Sequence, residues 1–371
     1  MIYLDYAANT PVDKEILDLY YDTVLKYYSN PNSIHKLGKE SKELIDNCTN
    51  EIANILNVLP EEIIYTSGAT ESNNLAIKGI AKRYKNRGKH IVLSPFEHNS
   101  IIASATALQQ EGFEISILEV NKDGLIDLEN LKKTIREDTI LVSITSLDSE
   151  IGIKQPIAEI AKLLKEYPNI IFHTDASQAI GKRDNDFKDV DLITIAPHKF
   201  YGLNGIGLLI KKKNISLIQQ IDGGKSTTIY RSGTPNLPMI NTLPLTLKKA
   251  LTEYKNSLDS VTKFYNRIID SLKEYKTIHI NSTKYSTPYI VNFSVEEAKG
   301  TKLMDLLSEK EVYVSTKTSC CPEMTPSKLV YALTKNKNLA STTIRLSLSH
   351  LTTDEEVEEF LKIFAECYKE L

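Results

Sequence analysis

Seven short runs rich in aliphatic and β-branched residues recur between residues 62 and 211, and helix-patterned stretches separate several of them. The runs are EIIYT from Glu62, HIVLS from His90, ISILEV from Ile115, TILVSIT from Thr139, NIIFHT from Asn169, DLITIA from Asp191 and IGLLIK from Ile206. Most are nearly continuous apolar segments rather than alternating ones, the pattern of a strand covered on both faces. Between them, residues 70–85, 99–110 and 156–166 carry apolar side chains at helical spacing. Alternating β and α units predict an α/β fold with a mainly parallel seven-stranded sheet and helices on both faces. That pattern accounts for residues 13–242.

The pattern changes after residue 242. A long helical stretch covers about 243–275. It is followed by TIHIN, PYIVNFS, a helix near 301–308, EVYVS, TTIRLSLS and a final helix from Asp354. We therefore expect a large domain over 13–242 and a smaller α+β domain over 243–371, joined by the N-terminal residues 1–12. The 371-residue length suits two domains better than one small core. No internal repeat or low-complexity linker interrupts the chain.

Composition narrows the partners. A net charge of −3 gives nucleic acid or an anionic membrane no electrostatic hold. No apolar run approaches the roughly 20 residues of a membrane helix. The opening MIYLDYAANT lacks the basic start and apolar core of a signal peptide, so the expected location is cytoplasmic. Four cysteines, at 48, 320, 321 and 367, form neither a disulfide framework nor a metal-ligand spacing. Cys48 and Cys367 fall in helical patterns and read as packing residues. Cys320 and Cys321, side by side in TSCCPEM, instead raise the question of a reactive thiol on a loop.

In open α/β sheets ligands bind beyond the carboxyl ends of the strands, so the residues just after each run are the ones to read. After EIIYT comes SGATESNN, a small-residue turn entering a helix, which suits a phosphate. His98 follows HIVLS, Asp175 and Gln178 follow NIIFHT, and His198 and Lys199 follow DLITIA. Alone, each has an ordinary explanation as a cap, turn or surface residue. Together they supply a phosphate cradle, a flat ring, a carboxylate and an amine, the set that pyridoxal phosphate requires. No strand is followed by the G-x-G-x-x-G turn of a dinucleotide site.

At this point the chain resembles the cysteine desulfurases of the NifS/IscS group, in the class V aminotransferase branch of fold-type I pyridoxal phosphate enzymes. The likeness runs from YLDYAANTPVD to IRLSLSHLTTDEEV and includes NPNSIHKLGKE, TSGATESNNLAIKG, HTDASQAIGK, HKFYG with GIG, and RSGT. It implies a fold-type I transferase that uses pyridoxal 5'-phosphate. Lys199 would be the Schiff-base lysine, Asp175 the partner of the pyridine nitrogen and Gln178 a donor to the ring oxygen. His98 would stack on the ring and transfer protons, and Ala69, Thr70 and His198 would contact the phosphate. Thr234, in RSGT, would reach the phosphate of a neighbouring subunit, which implies a homodimer. Arg345 would bind the substrate carboxylate, with Asn9 and Ser149 as further substrate contacts.

The resemblance also implies a reaction. L-cysteine would become L-alanine, and its sulfur would pass to an enzyme thiolate as a persulfide. A sulfur-acceptor protein serving iron–sulfur cluster assembly or tRNA thiolation would then receive it. Counting from Ser315 and Thr316 in STKTSCC, the attacking cysteine falls on Cys320, and Cys321 takes a position usually small and polar. Three departures stand out. Ser149 replaces an asparagine, Ala196 replaces a serine three residues before the lysine, and Lys225 replaces a glycine after Gly224. Two alternatives stay open: a selenocysteine lyase or other β-lyase with the same cofactor, and a non-catalytic scaffold homologue.

Overall fold

All seven apolar runs become strands of one sheet in the computed structural model, which describes residues 1–224, 226–296, 298–317 and 325–371. After a short β1 (Ile2–Tyr3) these are β2 (Ile63–Thr66), β3 (His90–Leu93), β4 (Glu114–Ile117), β5 (Thr139–Ser143), β6 (Ile171–Asp175), β7 (Leu192–Ile195) and β8 (Gly207–Lys211). The order across the sheet is β2-β8-β7-β6-β5-β3-β4. Neighbours from β4 to β7 pair in parallel, while β8 runs antiparallel to both β7 and β2. The link between β7 and β8 is too short for a crossover helix, so β8 must turn back.

Every residue of β2, β3 and β5 to β8 is buried, whereas β4 is half-exposed at the sheet edge. Successive side chains point to opposite faces. Ile63, Val92, Val142 and Leu208 join one core, and Ile64, Ile91, Leu141 and Leu209 join the other. The first core packs against α2 (Lys36–Leu56), which follows α1 (Lys14–Lys26); the second packs against α3 (Ala69–Tyr84) and α4 (Asn99–Gln109). The small helices α5 (Leu128–Thr134) and α6 (Ile157–Leu164) add to the first face.

The long helix α7 (Leu237–Leu272) has 36 residues and begins earlier than the sequence pattern suggests. Asn236 caps it by accepting from the Met239 N–H. Pro238 lies in the first turn, where its missing N–H costs nothing. Pro244 lies inside the helix, and burial of Leu243 and Leu247 offsets its lost backbone bond. At about 54 Å long, α7 joins the core under the large sheet, through Ile240, Leu243 and Leu247, to a separate core through Val261, Phe264 and Ile268.

The remaining elements are α8 (Gly300–Glu309), α9 (Lys328–Thr334), α10 (Lys337–Ser341) and α11 (Asp354–Tyr368), with β9 (Ile278–Ile280), β10 (Ile290–Val295), β11 (Val312–Tyr313) and β12 (Thr343–Ser347). Antiparallel β12-β10-β9 forms one sheet, and β1 pairs in parallel with β11. Ile2 and Leu4 share the core of these C-terminal elements. No helix among the described residues is long and apolar enough to cross a membrane.

Candidate active site

The C-terminal ends of β2, β3, β5, β6 and β7 share one sheet edge, and the reversed β8 starts there. A cavity of about 410 Å³ opens at this edge. Of the residues singled out in the sequence, Ala69, Thr70, His98, Ser149, Asp175, Gln178, His198, Lys199 and Arg345 line it. Two do not. Asn9 is exposed, and its side chain donates to the Thr10 carbonyl 3.1 Å away; its neighbours Ala7 and Ala8 line the cavity instead. Thr234 is exposed in an adjoining hollow of about 260 Å³, which shares Ser67 and Gly205 with the main cavity. Cys320, Cys321 and Lys225 lie outside the described residues.

The turn after β2 is shaped by two glycines. Gly68 has φ +149°, a region open in practice only to glycine. It is the N-cap of α3, and no side chain caps the helix. A Cβ on Gly68 would meet nothing within 4 Å, so space stands open at this helix start. A Cβ on Gly207, at the start of β8, would lie 2.6 Å from the Gly68 Cα. The close approach of β8 to the turn therefore needs glycine, and it brings Asn204 and Gly205 to the cavity wall. Glu71 in the first turn of α3 pairs with Arg231, Oε1 to Nε 2.9 Å, and accepts from the Ser67 N–H at 2.8 Å. Burial opposes ionisation of Glu71, but these donors win and its carboxyl titrates below the usual range.

Asp175 ends β6. One carboxylate oxygen accepts from the Ser177 N–H at 2.9 Å, the other from Asn73 Nδ2 at 2.8 Å. Asn73 reaches it from α3 and also donates to Ser100. Beneath Asp175, His173 bridges Ser143 and Thr194 on the flanking strands, and burial pushes its pKa down to about 4, so the imidazole is neutral. His98 caps α4: its Nδ1 accepts from the Ser100 N–H at 3.2 Å, which fixes the ring at the cavity wall. Next to it, Glu97 is fully buried; burial pushes its pKa up to about 8, against donors from Ser94 and the Thr145 N–H.

Lys199 rides on a 3₁₀ turn, Pro197–Lys199, directly after β7. Its Nζ donates to the carbonyls of Ala8, at 2.5 Å, and Ala7, at 3.2 Å. Ala196, at the head of this turn, is fully buried and offers no hydroxyl. The His198 pKa falls to about 4, first through burial and then through Lys199, Lys182 and His98. Arg345, on β12, is 1% exposed. Its Nη2 lies 2.6 Å from Asp5 Oδ1, and its Nη1 donates to the Ser149 carbonyl at 2.8 Å. Its Nε has no hydrogen-bond partner among the described residues. A guanidinium at the cavity wall suits a carboxylate ligand by charge and planar donor geometry.

Sequence reasoning missed Asp5, Asn73, Glu97, Asn204 and Lys182, although each lies inside or beside a quoted motif. A polar residue with no periodic role next to a motif was the available signal; its contact partner was not.

Comparisons with known proteins identify the family and the fold. Residues 2–360 match the family described as Aminotransferase class-V. The cysteine desulfurase IscS of Vibrio cholerae serotype O1 (strain M66-2) is 38% identical over 371 residues, covering 98% of this chain and 91% of that protein. A solved NifS-like protein superposes with a TM-score of 0.93 at 30% identity over the whole of both chains. SspA, solved in complex with cysteine, gives a TM-score of 0.82 at 30% identity over 95% of this chain and 100% of that one.

Proposed function

This chain belongs to the class-V aminotransferase family, and we propose that it is a cysteine desulfurase that converts L-cysteine to L-alanine and leaves the sulfur as a persulfide on its own Cys320. The observation that carries this reading is one cavity lined by an amine, a carboxylate, an imidazole, an uncapped helix start and a buried guanidinium. Family membership implies pyridoxal phosphate, and the groups present fit it. The open space at Gly68, before uncapped helix N–H groups, suits a phosphate, with Ala69, Thr70 and His198 around it. Asp175 would take the pyridine nitrogen, Gln178 the ring oxygen, His98 the ring face and Lys199 the reactive carbon. When bound, the cofactor supplies an electron sink for charge developing at the substrate Cα.

The chain's own groups do the rest. Arg345 receives the substrate carboxylate through its guanidinium, and Ser149 shapes the wall beside it. Lys199 Nζ takes the Cα proton, and His98 holds a proton for the leaving side. The Cys320 thiolate attacks the substrate sulfur; the S–S bond forms as the substrate C–S bond breaks, and the carbon gains a proton to leave alanine. The exchange is redox-neutral: one thiol becomes a persulfide and cysteine becomes alanine.

Two copies of the chain complete the unit in this reading, with Thr234 of each reaching the other's cavity. An acceptor protein for iron–sulfur cluster assembly or tRNA thiolation then takes the sulfur. The division into residues 13–242 and 243–371 with 1–12 belongs to the same proposal; the separate cores met by the two halves of α7 support two units, with Leu243, Leu247 and Ala250 joining the first. Incubating the loaded protein with L-cysteine tests the reaction. Cys320→Ala is expected to stop alanine formation while visible cofactor absorbance stays, and Cys321→Ala to keep most turnover. A gain of about 32 Da, one sulfur, is expected on the peptide that contains Cys320. Undiminished turnover in Cys320→Ala rejects the assignment.

A further inference from the structure

A second lysine lies behind the cavity, and the mechanism above does not use it. Lys182 is 7% exposed and lies four residues after Gln178, in the turn that follows β6. Its Nζ donates to Gln178 Oε1 at 2.8 Å and to the carbonyl of Lys199 at 3.1 Å. The Thr287 hydroxyl donates to the Lys182 backbone carbonyl at 2.9 Å. No carboxylate pairs with Lys182 among the described residues. Burial first, then Lys199 and Arg345, pull its pKa down to about 7. A buried ammonium with only neutral acceptors is costly, and here both acceptors belong to cavity residues.

The Ala7 carbonyl can only accept, so Gln178 turns its Nε2 there and its oxygen to Lys182, which in its ammonium form can only donate. The opposite end, Nε2, donates to the Ala7 carbonyl at 2.8 Å. Gln178 also lines the cavity, and the second N–H of its Nε2 is left over after the bond to Ala7. Accepting from a charged donor polarises the amide and strengthens what its N–H groups can give. The same ammonium ties the Lys199 carbonyl, which steadies the base of the lysine side chain.

We propose that Lys182 is a positioning residue, which locks and polarises the Gln178 amide so that it presents a hydrogen-bond donor to a ring oxygen in the cavity. The inference rests on the pyridoxal phosphate reading of the site. Lys199, Arg345, His98, His198 and Asp175 face the same space and stay unchanged in the variants below. A stronger donor withdraws electron density from the ring oxygen. The visible band of cofactor bound to Lys199 then changes with pH at a lower midpoint. Removing Lys182 raises that midpoint.

The test is a pH titration of the visible band in pyridoxal phosphate-loaded wild type, Lys182→Met, Gln178→Met and the double variant. Lys182→Met is expected to raise the midpoint by about half a pH unit or more. On the Gln178→Met background the same substitution is expected to move it by no more than about half as much. An unmoved midpoint in Lys182→Met, or equal shifts on both backgrounds, overturns the proposal. Should Lys182→Met fail to fold, Lys182→Arg, which keeps a cationic donor, is expected to titrate near the wild type; a shift as large as that of Gln178→Met overturns it. A wild type with no visible band after loading defeats the cofactor reading and this inference with it. A wild-type band that Lys182→Met leaves unmoved defeats this inference alone.

Discussion

The two walls of the cavity are assembled differently. On the sheet side, Asp175 ends β6, and His98 and Lys199 stand on turns just past β3 and β7, although the Lys199 amine reaches the carbonyls of Ala7 and Ala8 and Asp175 is held by Asn73. On the other side, Arg345 reaches the cavity from β12. Its partners Asp5 and Ser149 are 340 and 196 positions away in sequence. Strand pairing sets where the sheet-side residues stand, and α3 and the N-terminal segment then hold Asp175 and Lys199. The arginine side requires the C-terminal sheet, the N-terminal segment and the loop after β5 to close together. In the proposed mechanism, chemistry at the Cα falls to the wall at the strand ends and substrate capture to the wall around Arg345.

The largest expected effect tests the sheet wall. Lys199→Ala should lower alanine formation by about 10⁴-fold or more and abolish the visible band, with little change in thermal stability. A variant that kept the band would place the reactive amine elsewhere. Next comes the arginine wall. Arg345→Lys keeps the charge and loses the planar fork, so KM for cysteine should rise about 10- to 100-fold, with kcat changed much less. If kcat fell and KM held, Arg345 would belong with the chemistry and the contrast between the walls would fail. Arg345→Ala should also destabilise the chain by about 3 kcal/mol, because it leaves the Asp5 carboxylate half-buried without its partner. Chemical denaturation measures that loss.

The smallest effect concerns Glu97, which supports the sheet wall from below. Its folded pKa, pushed up to about 8 mainly by burial, lies above the unfolded value near 4.3. The stability it contributes is therefore whole below the unfolded value and is lost as pH rises through about 8. Glu97→Gln fixes the neutral form. The difference in Tm between variant and wild type should be small at pH 4.5 and widen up to pH 8–9. Calorimetry across that range checks it; a constant difference would mean the carboxyl is ionised throughout in the fold.

Much of the sheet wall was legible before any coordinates. Strand ends carry ligands in this architecture, so His98, Asp175, Gln178, His198 and Lys199 could be found by reading one step past each apolar run. Asn73 escaped because its contact to Asp175 spans 102 positions, from a helix face to a strand end. Asn9 was read from a motif, yet it does not line this chain's cavity and its side chain turns to the Thr10 carbonyl. Motif position reports what a residue is near in sequence, not which way its side chain turns. The early start of α7 was hidden for a related reason: prolines read as breaks wherever they fall, but Pro238 occupies a first turn and Pro244 lies where neighbouring leucines are buried.

The sequence by itself determined the alternation of strand and helix, the burial of both sheet faces and the chemical kinds of group at the strand ends. These follow from local periodicity and residue type, which act over a few positions. Only the tertiary structure decided that Asp5 would hold Arg345, that the start of β8 would press against Gly68, and that Lys182 would sit beneath Gln178. Each of these depends on which distant segments meet. A buried charge selects its partner by distance and desolvation, and neither exists until the chain has closed.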